Sequence, residues 1–320
     1  MVDRSIIEKQ LEHTFDGIEL PELGEKITGK VRDCYVVGDK RVLITSDRLS
    51  AFDRVLTTIP FKGQLLNQLA AYWFSSTQHI IQNHIIFHPH PNVFIAQQAQ
   101  ILPVEVVVRG YLTGSAWRDY SAGKDVSGIK LPKGMRRSER FEKPLITPST
   151  KAEAGHHDEP ISSAEIVSQG LVEKKVWDEV CETALKLFAF GTKKAAEHGL
   201  FLVDTKYEFG LVKQPDGTQK LILADEIHTQ DSSRFWLQEG YEAAFEKGED
   251  PNMLDKEFVR RWLMEQGYMG DGTPPKFTDE FRVQTAEKYI EAFEQITGCS
   301  FYPKTGNVEA EIREAVKNLK

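Results

Sequence analysis

The chain has 320 residues, of which 40% are hydrophobic and 28% are charged, and its formal net charge is −8. This composition is typical of a globular protein of two or three lobes and excludes wholesale disorder, while the acidic balance argues against sequence-independent binding to nucleic acid. Three widely spaced cysteines without zinc spacing, no apolar run near the ~18 residues of a membrane span and no signal-peptide pattern favour a cytoplasmic protein.

The first region of the chain is predicted to be rich in β-structure. Two apolar runs, 34–37 and 41–45, flank the turn residues 38–40, which is typical of a hairpin. Residues 64–79 place leucines and aromatic residues at helical spacing, and 104–108 form a short apolar run. We therefore expect a hairpin, a helix and a strand in this order.

Residues 121–162 are predicted to form a long loop, because they are rich in Gly, Pro, Ser and charged residues. The segment carries a basic run made of Lys130, Lys133, Arg136, Arg137, Arg140 and Lys143. One interpretation is a solvated surface, and the other is an electropositive flap over an anionic substrate. The sequence leaves both open.

Helical patterns dominate the later part of the chain. Ser162 and Glu165 have the spacing of a capping box. A long amphipathic helix is expected at 172–198, where apolar residues recur on one face. Two further helices are expected at 255–266 and 279–296.

The most informative segment joins an apolar strand, 200–203, to alternating charges. Asp204, Lys206 and Glu208 share one face of an extended chain, because side chains alternate with a period of two. Two carboxylates and an ammonium suit a magnesium–phosphate centre, in which carboxylates hold the cation and the ammonium neutralises a phosphoryl oxygen. The alternative is an exposed strand edge with alternating charge, and these three residues alone do not decide between the two.

The next strand strengthens the magnesium interpretation. A hairpin with its turn at 215–217 is predicted, and its second strand ends in Asp225 and Glu226. Because the end of one strand lies opposite the start of the other, we expect Asp225 to lie close to Glu208. Neighbouring carboxylates repel each other unless a cation lies between them, and Mg²⁺ on a triphosphate is a suitable cation.

Three more clusters carry groups that bind anions. Residues 232–234, Ser-Ser-Arg, combine hydroxyls with a guanidinium. Arg109 stands before a turn that contains Gly114 and Ser115, which is a plausible anion nest. Residues 29–32 place a glycine before two cations that can lie over phosphates, although they do not match the P-loop pattern.

Taken in order, these clusters resemble the SAICAR synthetase family, the phosphoribosylaminoimidazole-succinocarboxamide synthases. The matching segments are GKVRDCY (29–35), SDRLSAFD (46–53), VEVVVRGYLTGSAW (104–117), TPSTKAEAGHHDEPIS (147–162), LVDTKYEFG (202–210) and ADEIHTQDSSRFW (224–236). The resemblance covers nearly the whole chain, and six motifs in order are very specific. The chain departs from the family pattern at Arg118, at Gln230 and at an additional His156.

The resemblance implies an α+β or α/β protein with a two-lobed SAICAR synthetase-like fold, related to kinase and ATP-grasp lobes, and with a helical C-terminal segment. It implies a β-rich, ATP-covering lobe at 1–101, a central α/β lobe for ATP and substrates at 102–240, and the helical segment at 241–320. The implied activity is the ATP-dependent ligation of L-aspartate to carboxyaminoimidazole ribonucleotide through an acyl phosphate, with Mg²⁺ as the metal and ATP held between the lobes.

The resemblance also implies roles for individual residues. It assigns ATP to Gly29, Lys30, Val31, Arg32, Gln98, Ile101 and Leu102, with 98–102 as the adenine hinge. It assigns the substrates to Arg109, Ser115, Ser233, Arg234, Asp47, Ser50, Asp53 and His157. It assigns catalysis to Lys206, Asp204, Lys151 and Asp158, and the metal to Glu208 and Asp225.

Two rival functions are compatible with part of the pattern. A small-molecule kinase would explain Lys206, Glu208 and Asp225 equally well, but not the second anion site. A non-catalytic nucleotide-binding module would be expected to have lost one of these three residues, and all are present. The expected partners are small molecules, without nucleic acid or membrane, and the chain is expected to be a monomer.

Overall fold

The computed structural model of the chain describes residues 2–52, 54–151, 159–254 and 257–319. Its helices are α1 (Arg4–Gln10), α2 (Lys62–Ser76), α3 (Gly114–Ser121), α4 (Ser163–Ser168), α5 (Lys174–Glu197), α6 (Tyr241–Lys247), α7 (Glu257–Glu265), α8 (Asp279–Thr297) and α9 (Glu309–Val316). Its strands are β1 (Lys26–Thr28), β2 (Arg32–Val37), β3 (Lys40–Thr45), β4 (Arg48–Ala51), β5 (Arg54–Thr58), β6 (Ile85–His90), β7 (Val93–Gln97), β8 (Gln100–Ile101), β9 (Val104–Tyr111), β10 (Arg140–Ile146), β11 (Ser149–Thr150), β12 (Leu200–Lys213), β13 (Gln219–Ala224) and β14 (Ser233–Leu237). Within these residues, each helix is too short or too polar to cross a bilayer.

The chain divides into two compact units. Unit 1 comprises Met1–Trp73, His84–Gln98 and Leu254–Lys320, and unit 2 comprises Phe74–Asn83 and Ala99–Met253. The C-terminal residues therefore belong to the same unit as the N-terminal strands. The sequence instead predicted a division by function, with one lobe at 1–101, a second at 102–240 and a helical segment at 241–320. This functional division stays a prediction.

Unit 1 is built on a five-stranded antiparallel sheet in the order β1-β2-β3-β7-β6. The predicted hairpin is confirmed, since β2 pairs with β3 from Arg32↔Thr45 to Val37↔Lys40. Alternate residues of these strands, including Tyr35, Val42 and Ile95, pack against Val308, Ile312 and Val316 at α9. This helix thus covers one face of the sheet.

Two helices predicted in the sequence, at 172–198 and 279–296, are confirmed as α5 and α8. The helix α5 buries Trp177, Val180 and Leu187 on the predicted face. The helix α8 begins after Thr278, whose hydroxyl accepts the Phe281 N–H, and ends at Gly298 in the left-handed conformation. The capping box of Ser162 and Glu165 is also present at the start of α4.

Unit 2 is built on a seven-stranded sheet in which β12 is central. The strand β12 pairs with β9, β13, β14 and β8. It is one continuous strand of 14 residues, whereas the sequence predicted a strand at 200–203 and another at 209–213. The charged residues between them therefore lie within the sheet, beside the strands that flank β12.

The prediction of a loop throughout 121–162 is wrong in part. Residues 140–146 form β10, which pairs with β9, and 149–150 form β11, which also pairs with β9. The segment RFEKPLI has few β-formers and contains Pro144, which lies where the register with β9 shifts. Pairing with a distant strand therefore outweighs the local preference.

Two arginines of the basic run in this segment contact acidic side chains of unit 2. Arg136 donates to Glu246 at 3.1 Å and its guanidinium lies 3.9 Å from the centre of the Phe245 ring. Arg137 lies 2.8 Å from Asp250. These contacts favour a solvated surface with local ion pairs over an electropositive flap.

Candidate active site

Two arginines of unit 2 converge on one buried carboxylate. The register pairs Asp204 of β12 with Arg109 of β9 and with Arg234 of β14. Oδ2 of Asp204 accepts from Nη1 of Arg109 at 2.9 Å and from Nη1 of Arg234 at 2.5 Å. Asp204 is 4% exposed, so the carboxylate acts as a counterion shielded from water. We call Arg109 and Arg234 the arginine pair, and Asp204 is its counterion.

Hydroxyl groups complete the surroundings of Arg109. Its Nε donates to Thr147 Oγ1 at 2.8 Å and its Nη2 donates to Ser115 Oγ at 2.9 Å. Ser233 is buried, and its hydroxyl lies 2.7 Å from that of Thr205. Two guanidinium charges against one carboxylate leave a net charge of about +1, which suits a place that binds an anion.

A glycine makes room for Arg234. Gly114 has φ +58, and a Cβ atom built there would lie 2.8 Å from Nη2 of Arg234. A larger residue would be strained by its φ and would displace the guanidinium. Gly114 and Ser115, which the sequence placed in a turn, are the first residues of α3, and Gly114 leaves space for Arg234.

Two residues further along β12, a lysine is surrounded by carboxylates. Nζ of Lys206 lies 2.6 Å from Glu105 and 3.6 Å from Glu208. Lys151 makes an ion pair with the other oxygen of Glu208. The pairing of Glu208 with Ala224 puts Asp225, the next residue, at the same end of the hairpin. We call Glu105, Lys151, Lys206, Glu208 and Asp225 the lysine–carboxylate cluster.

The carboxylates keep Lys206 charged. Burial by itself lowers the pKa of the Lys206 ammonium. The negative charges of Glu105, Glu208 and Asp225 outweigh burial, and the pKa is raised above its ordinary value. Lys206 is therefore a permanent cation at neutral pH and not a proton acceptor.

Glu105 is a functional candidate that the sequence reasoning missed. It lies on β9, is 7% exposed, and has the shorter of the two ion pairs with Lys206. The available signal was a carboxylate inside the run Val-Glu-Val-Val-Val at 104–108, where a charge is unexpected in a buried strand.

The loop between β13 and β14 connects the two clusters. Asp225 and His228 have φ +60 and +49, a conformation in which non-glycine residues are uncommon. Nε2 of His228 lies 2.6 Å from the hydroxyl of Tyr207, and both rings are buried. Gly191 of α5 admits this ring, because a Cβ there would lie 2.4 Å from His228. Burial lowers the pKa of His228 to about 3, so its imidazole is neutral. The loop is therefore anchored by a hydrogen bond between two neutral groups, His228 and Tyr207.

The residues predicted to bind ATP lie in both units. Gly29 and Lys30 are exposed in the loop before β2, and Val31 and Arg32 are half-buried. In unit 1, the Gln98 N–H donates to the Asp39 carbonyl at 2.8 Å. In unit 2, Ile101 pairs with Gly210, and the Leu102 N–H donates to the Phe209 carbonyl at 2.9 Å.

The contacts of Asp47 are those of a structural residue. Its Oδ2 accepts the Phe15 N–H at 2.8 Å and its Oδ1 accepts the Gly63 N–H, in the first turn of α2, at 2.8 Å. The carboxyl is 3% exposed, and burial raises its pKa to about 6. Ser50 is also buried, on β4. The substrate roles assigned to both residues stay predictions. Asp53, His157 and Asp158, with His156, lie outside the described residues.

The comparisons with known proteins agree on one family. The family model of SAICAR synthetase matches residues 25–275. A phosphoribosylaminoimidazole-succinocarboxamide synthase of Legionella pneumophila (strain Paris) is 47% identical over 284 residues, which cover 87% of this chain and 89% of that protein.

Solved structures are similar over most of the chain. A SAICAR synthase from Saccharomyces cerevisiae complexed with SAICAR has a TM-score of 0.80 and 33% identity, and the match covers 91% of this chain and 100% of that one. A SAICAR synthetase in complex with ADP has a TM-score of 0.65 and 26% identity, and the match covers 87% of this chain and 100% of that one.

Proposed function

The chain belongs to the SAICAR synthetase family and is a ligase of purine biosynthesis, and on that premise we propose that it joins L-aspartate to carboxyaminoimidazole ribonucleotide, with cleavage of ATP to ADP and phosphate. One observation carries this proposal. The arginine pair and the lysine–carboxylate cluster lie side by side on β12, with Asp204 and Lys206 two residues apart. A ligase that binds both a nucleoside triphosphate and the phosphate group of a ribonucleotide needs two such centres.

The proposed reaction has two steps. The γ-phosphoryl group of ATP moves to a carboxylate oxygen of the ribonucleotide, and ADP leaves. The amine of aspartate then attacks the acyl carbon, phosphate leaves with the electrons of the C–O bond, and the nitrogen loses a proton to give the amide. Phosphorylation is needed because a carboxylate is negatively charged and has no good leaving group. The task of the protein is then positioning and charge neutralisation.

The arginine pair is proposed to hold the phosphate of the ribonucleotide. Arg234 is half-buried, while Arg109 is fixed by Asp204, Thr147 and Ser115. Preorganised guanidinium groups bind phosphate without a further cost of ordering their side chains. Ser115 and Ser233 would add hydroxyl donors to the same anion.

Glu208 and Asp225 are proposed to hold Mg²⁺. Two carboxylates with oxygens of ATP suit this metal, which is usually bound by one or two carboxylates together with phosphates and water. The described residues contain no group of three or more metal-ligating side chains, so the remaining ligands would come from ATP and water. In this structure Glu208 makes ion pairs with both Lys151 and Lys206, so Mg²⁺ would compete with these ammonium groups for its oxygens. When bound, the metal would neutralise charge on the phosphate oxygens.

The remaining roles are proposed from the resemblance to the family. Lys206 would contact the transferred phosphoryl group as a fixed positive charge. Lys151, with His157 and Asp158, would face the substrates near the point of transfer. Residues 29–32 would cover the triphosphate and 98–102 would contact adenine. We also propose a cytoplasmic monomer that binds no nucleic acid, and the net charge of −8 supports the last of these points.

ADP release assayed with carboxyaminoimidazole ribonucleotide, in the presence and absence of L-aspartate, tests this function. We expect sustained ADP formation only when both are present, with one succinocarboxamide ribonucleotide formed for each ADP. ADP formation that ignored aspartate would instead favour a small-molecule kinase. ATP binding without any turnover would favour the non-catalytic module.

A further inference from the structure

The glycine loop of unit 1, residues 29–32, is exposed at Gly29 and Lys30, yet the carbonyl groups of residues 29–31 accept hydrogen bonds from Arg48 and Ser46. Arg48 donates from Nη2 to the Gly29 carbonyl at 3.0 Å and from Nε to the Lys30 carbonyl at 3.2 Å. Ser46 donates to the Val31 carbonyl from its N–H at 2.8 Å and from its hydroxyl at 2.9 Å. Three successive acceptors of the loop are therefore turned towards the interior of the unit.

The geometry of the peptide bond fixes what the loop presents on its other side. In a trans peptide the carbonyl oxygen and the following N–H point in opposite directions, and the peptide bonds of this loop are trans. Since the carbonyls of Gly29 and Lys30 point towards Arg48, the N–H groups of Lys30 and Val31 point away from it. Successive N–H groups aimed at one side form an anion-binding concavity.

Arg48 itself is held rigidly by a buried carboxylate. Its Nη2 lies 2.6 Å from Oδ1 of Asp33, and its Nη1 also donates to the Asp16 carbonyl at 2.6 Å. Asp33 is fully buried and Arg48 is 8% exposed. The pair is close to Gly17, where a Cβ atom would lie 2.8 Å from Oδ2 of Asp33. All five N–H groups of a guanidinium are donors in a fixed plane, so one side chain reaches three carbonyl groups in two segments of backbone, Asp16 and residues 29–30.

A glycine is required at the start of the loop. The Gly29 N–H donates to the Arg32 carbonyl at 2.8 Å, which closes the turn. A Cβ atom at this position would lie 2.6 Å from the same carbonyl. A larger residue at position 29 would therefore distort the turn that places the Gly29 and Lys30 carbonyls against Arg48.

We propose that Arg48, oriented by Asp33, is a positioning residue that fixes the glycine loop with its amides directed to the phosphates of the nucleotide. This inference rests on the proposed function, because it takes the nucleotide to be ATP. It adds a residue whose effect is exerted through backbone carbonyls. Neither Arg48 nor Asp33 needs to contact the nucleotide.

The substitution Arg48→Lys tests the proposal, because lysine keeps the charge but cannot donate to both carbonyls in one plane. The dissociation constants of MgADP and of adenosine, which has no phosphate, are measured by calorimetry on the full chain. We expect MgADP to bind about 10- to 100-fold more weakly, the effect of losing hydrogen bonds to a charged donor. Adenosine should bind within about twofold of wild type, because the loop contacts phosphates and not adenine.

Arg282→Lys provides a matched control. Arg282 is a half-buried arginine of unit 1 that, like the buried Arg48, donates to a backbone carbonyl, that of Thr58 at 2.9 Å. We expect it to lower the melting temperature without changing the dissociation constant of MgADP. An unchanged MgADP constant in Arg48→Lys, or an equal loss of MgADP and adenosine, would overturn the proposal.

A second variant keeps the test decisive if Arg48→Lys does not fold. Ser46→Ala removes only the hydroxyl that donates to the Val31 carbonyl, and it should weaken MgADP binding about two- to fivefold. An unchanged dissociation constant of MgADP in Ser46→Ala would contradict the proposal that the fixed loop binds the phosphates. Failure of the proposed function would be seen in the wild-type protein and not in the variants. The wild-type protein would then bind MgADP without forming the succinocarboxamide product, or would not bind MgADP at all.

Discussion

The two units hold their candidate functional groups in different ways. In unit 2, charged side chains on neighbouring strands hold one another, as Asp204 does with Arg109 and Arg234. In unit 1, a side chain from β4 holds a loop through its backbone carbonyls, as Arg48 does with residues 29 and 30. The first arrangement fixes the position of charge, and the second fixes the direction of peptide dipoles.

This difference has a consequence for substitutions. A change in unit 2 alters the charge that faces the ligand, so it should affect turnover or substrate affinity directly. A change in unit 1 should act through the geometry of the loop, so it should affect nucleotide affinity or stability first. Variants of the two units therefore separate charge from geometry.

Asp225→Asn should have the largest effect. Asparagine tolerates the positive φ of this position, so the fold should be retained. The loss of one carboxylate from the proposed magnesium site should lower kcat by about 1,000-fold or more, measured as ADP formation over a range of Mg²⁺ concentrations. Asp216→Asn, at the exposed turn of the same hairpin, is the matched control and should keep near-normal turnover. Near-normal turnover in Asp225→Asn would show that this carboxylate is not a metal ligand.

Asp204→Asn should have the next largest effect, because it leaves two guanidinium groups without their counterion. Removal of one member of a buried ion pair costs about 3–5 kcal/mol of the free energy of unfolding. Inorganic phosphate should restore part of this loss, since an anion can take the place of the carboxylate charge. Thermal unfolding with and without phosphate measures both effects.

The control for Asp204→Asn is Asp279→Asn. Asp279 makes an exposed ion pair with Arg282 at 3.0 Å, and such pairs contribute little. If phosphate stabilised Asp204→Asn no more than wild type, the arginine pair would not be an anion site.

The sequence predicts those parts of the molecule that depend on local pattern. The hairpin at 32–45, the helix α5 and the capping box at Ser162 follow from periodicity and from turn and cap residues. The pairing that joins Glu208 to Ala224 also follows from a recognisable hairpin. The strand β10 was missed, because its pairing with β9 is a long-range contact that its own residues do not favour.

The supporting residues of the site were also out of reach of the sequence reasoning. Glu105 lies 101 residues before Lys206 in the chain and meets it only through strand pairing. Arg48 contacts carbonyl groups, which are the same for every residue type, so its partners leave no trace in the sequence. Asp47 was assigned to substrate by resemblance, and its contacts with the Phe15 and Gly63 amides become visible only in the folded unit.

Asp47→Asn tests how unit 1 tolerates a buried carboxyl group. Burial raises the pKa of Asp47 to about 6 in the folded chain, against about 3.9 when unfolded. The protonated carboxyl of Asp47 therefore makes its full contribution to the free energy of unfolding below about pH 4, and this contribution is lost as pH rises through about 6. The stability of wild type relative to Asp47→Asn should fall over this range by up to about 3 kcal/mol, measured by urea unfolding at each pH. A flat difference between pH 4 and 7 would mean that Asp47 stays charged in the fold.

Glu105→Gln should have the smallest effect and separates charge from position within unit 2. Glutamine keeps the shape of the side chain and removes the carboxylate that lies nearest to Lys206. We expect kcat to fall about tenfold, and the alkaline limb of the pH–rate profile to move to lower pH, because the pKa of Lys206 loses its strongest support. Glu142→Gln, an exposed residue of β10, is the control.

The pH profile of Glu105→Gln decides what Glu105 contributes. Glu208 and Asp225 still raise the pKa of Lys206 in this variant, so the ammonium should remain protonated near pH 7. A loss of rate at pH 7 would then reflect a displaced Lys206, since its charge is unchanged. If the rate recovered fully on lowering the pH, the loss would instead be one of charge, and Glu105 would act only by keeping the lysine protonated. An unchanged kcat and an unchanged alkaline limb would remove Glu105 from the site and leave Lys206 positioned by Glu208 alone.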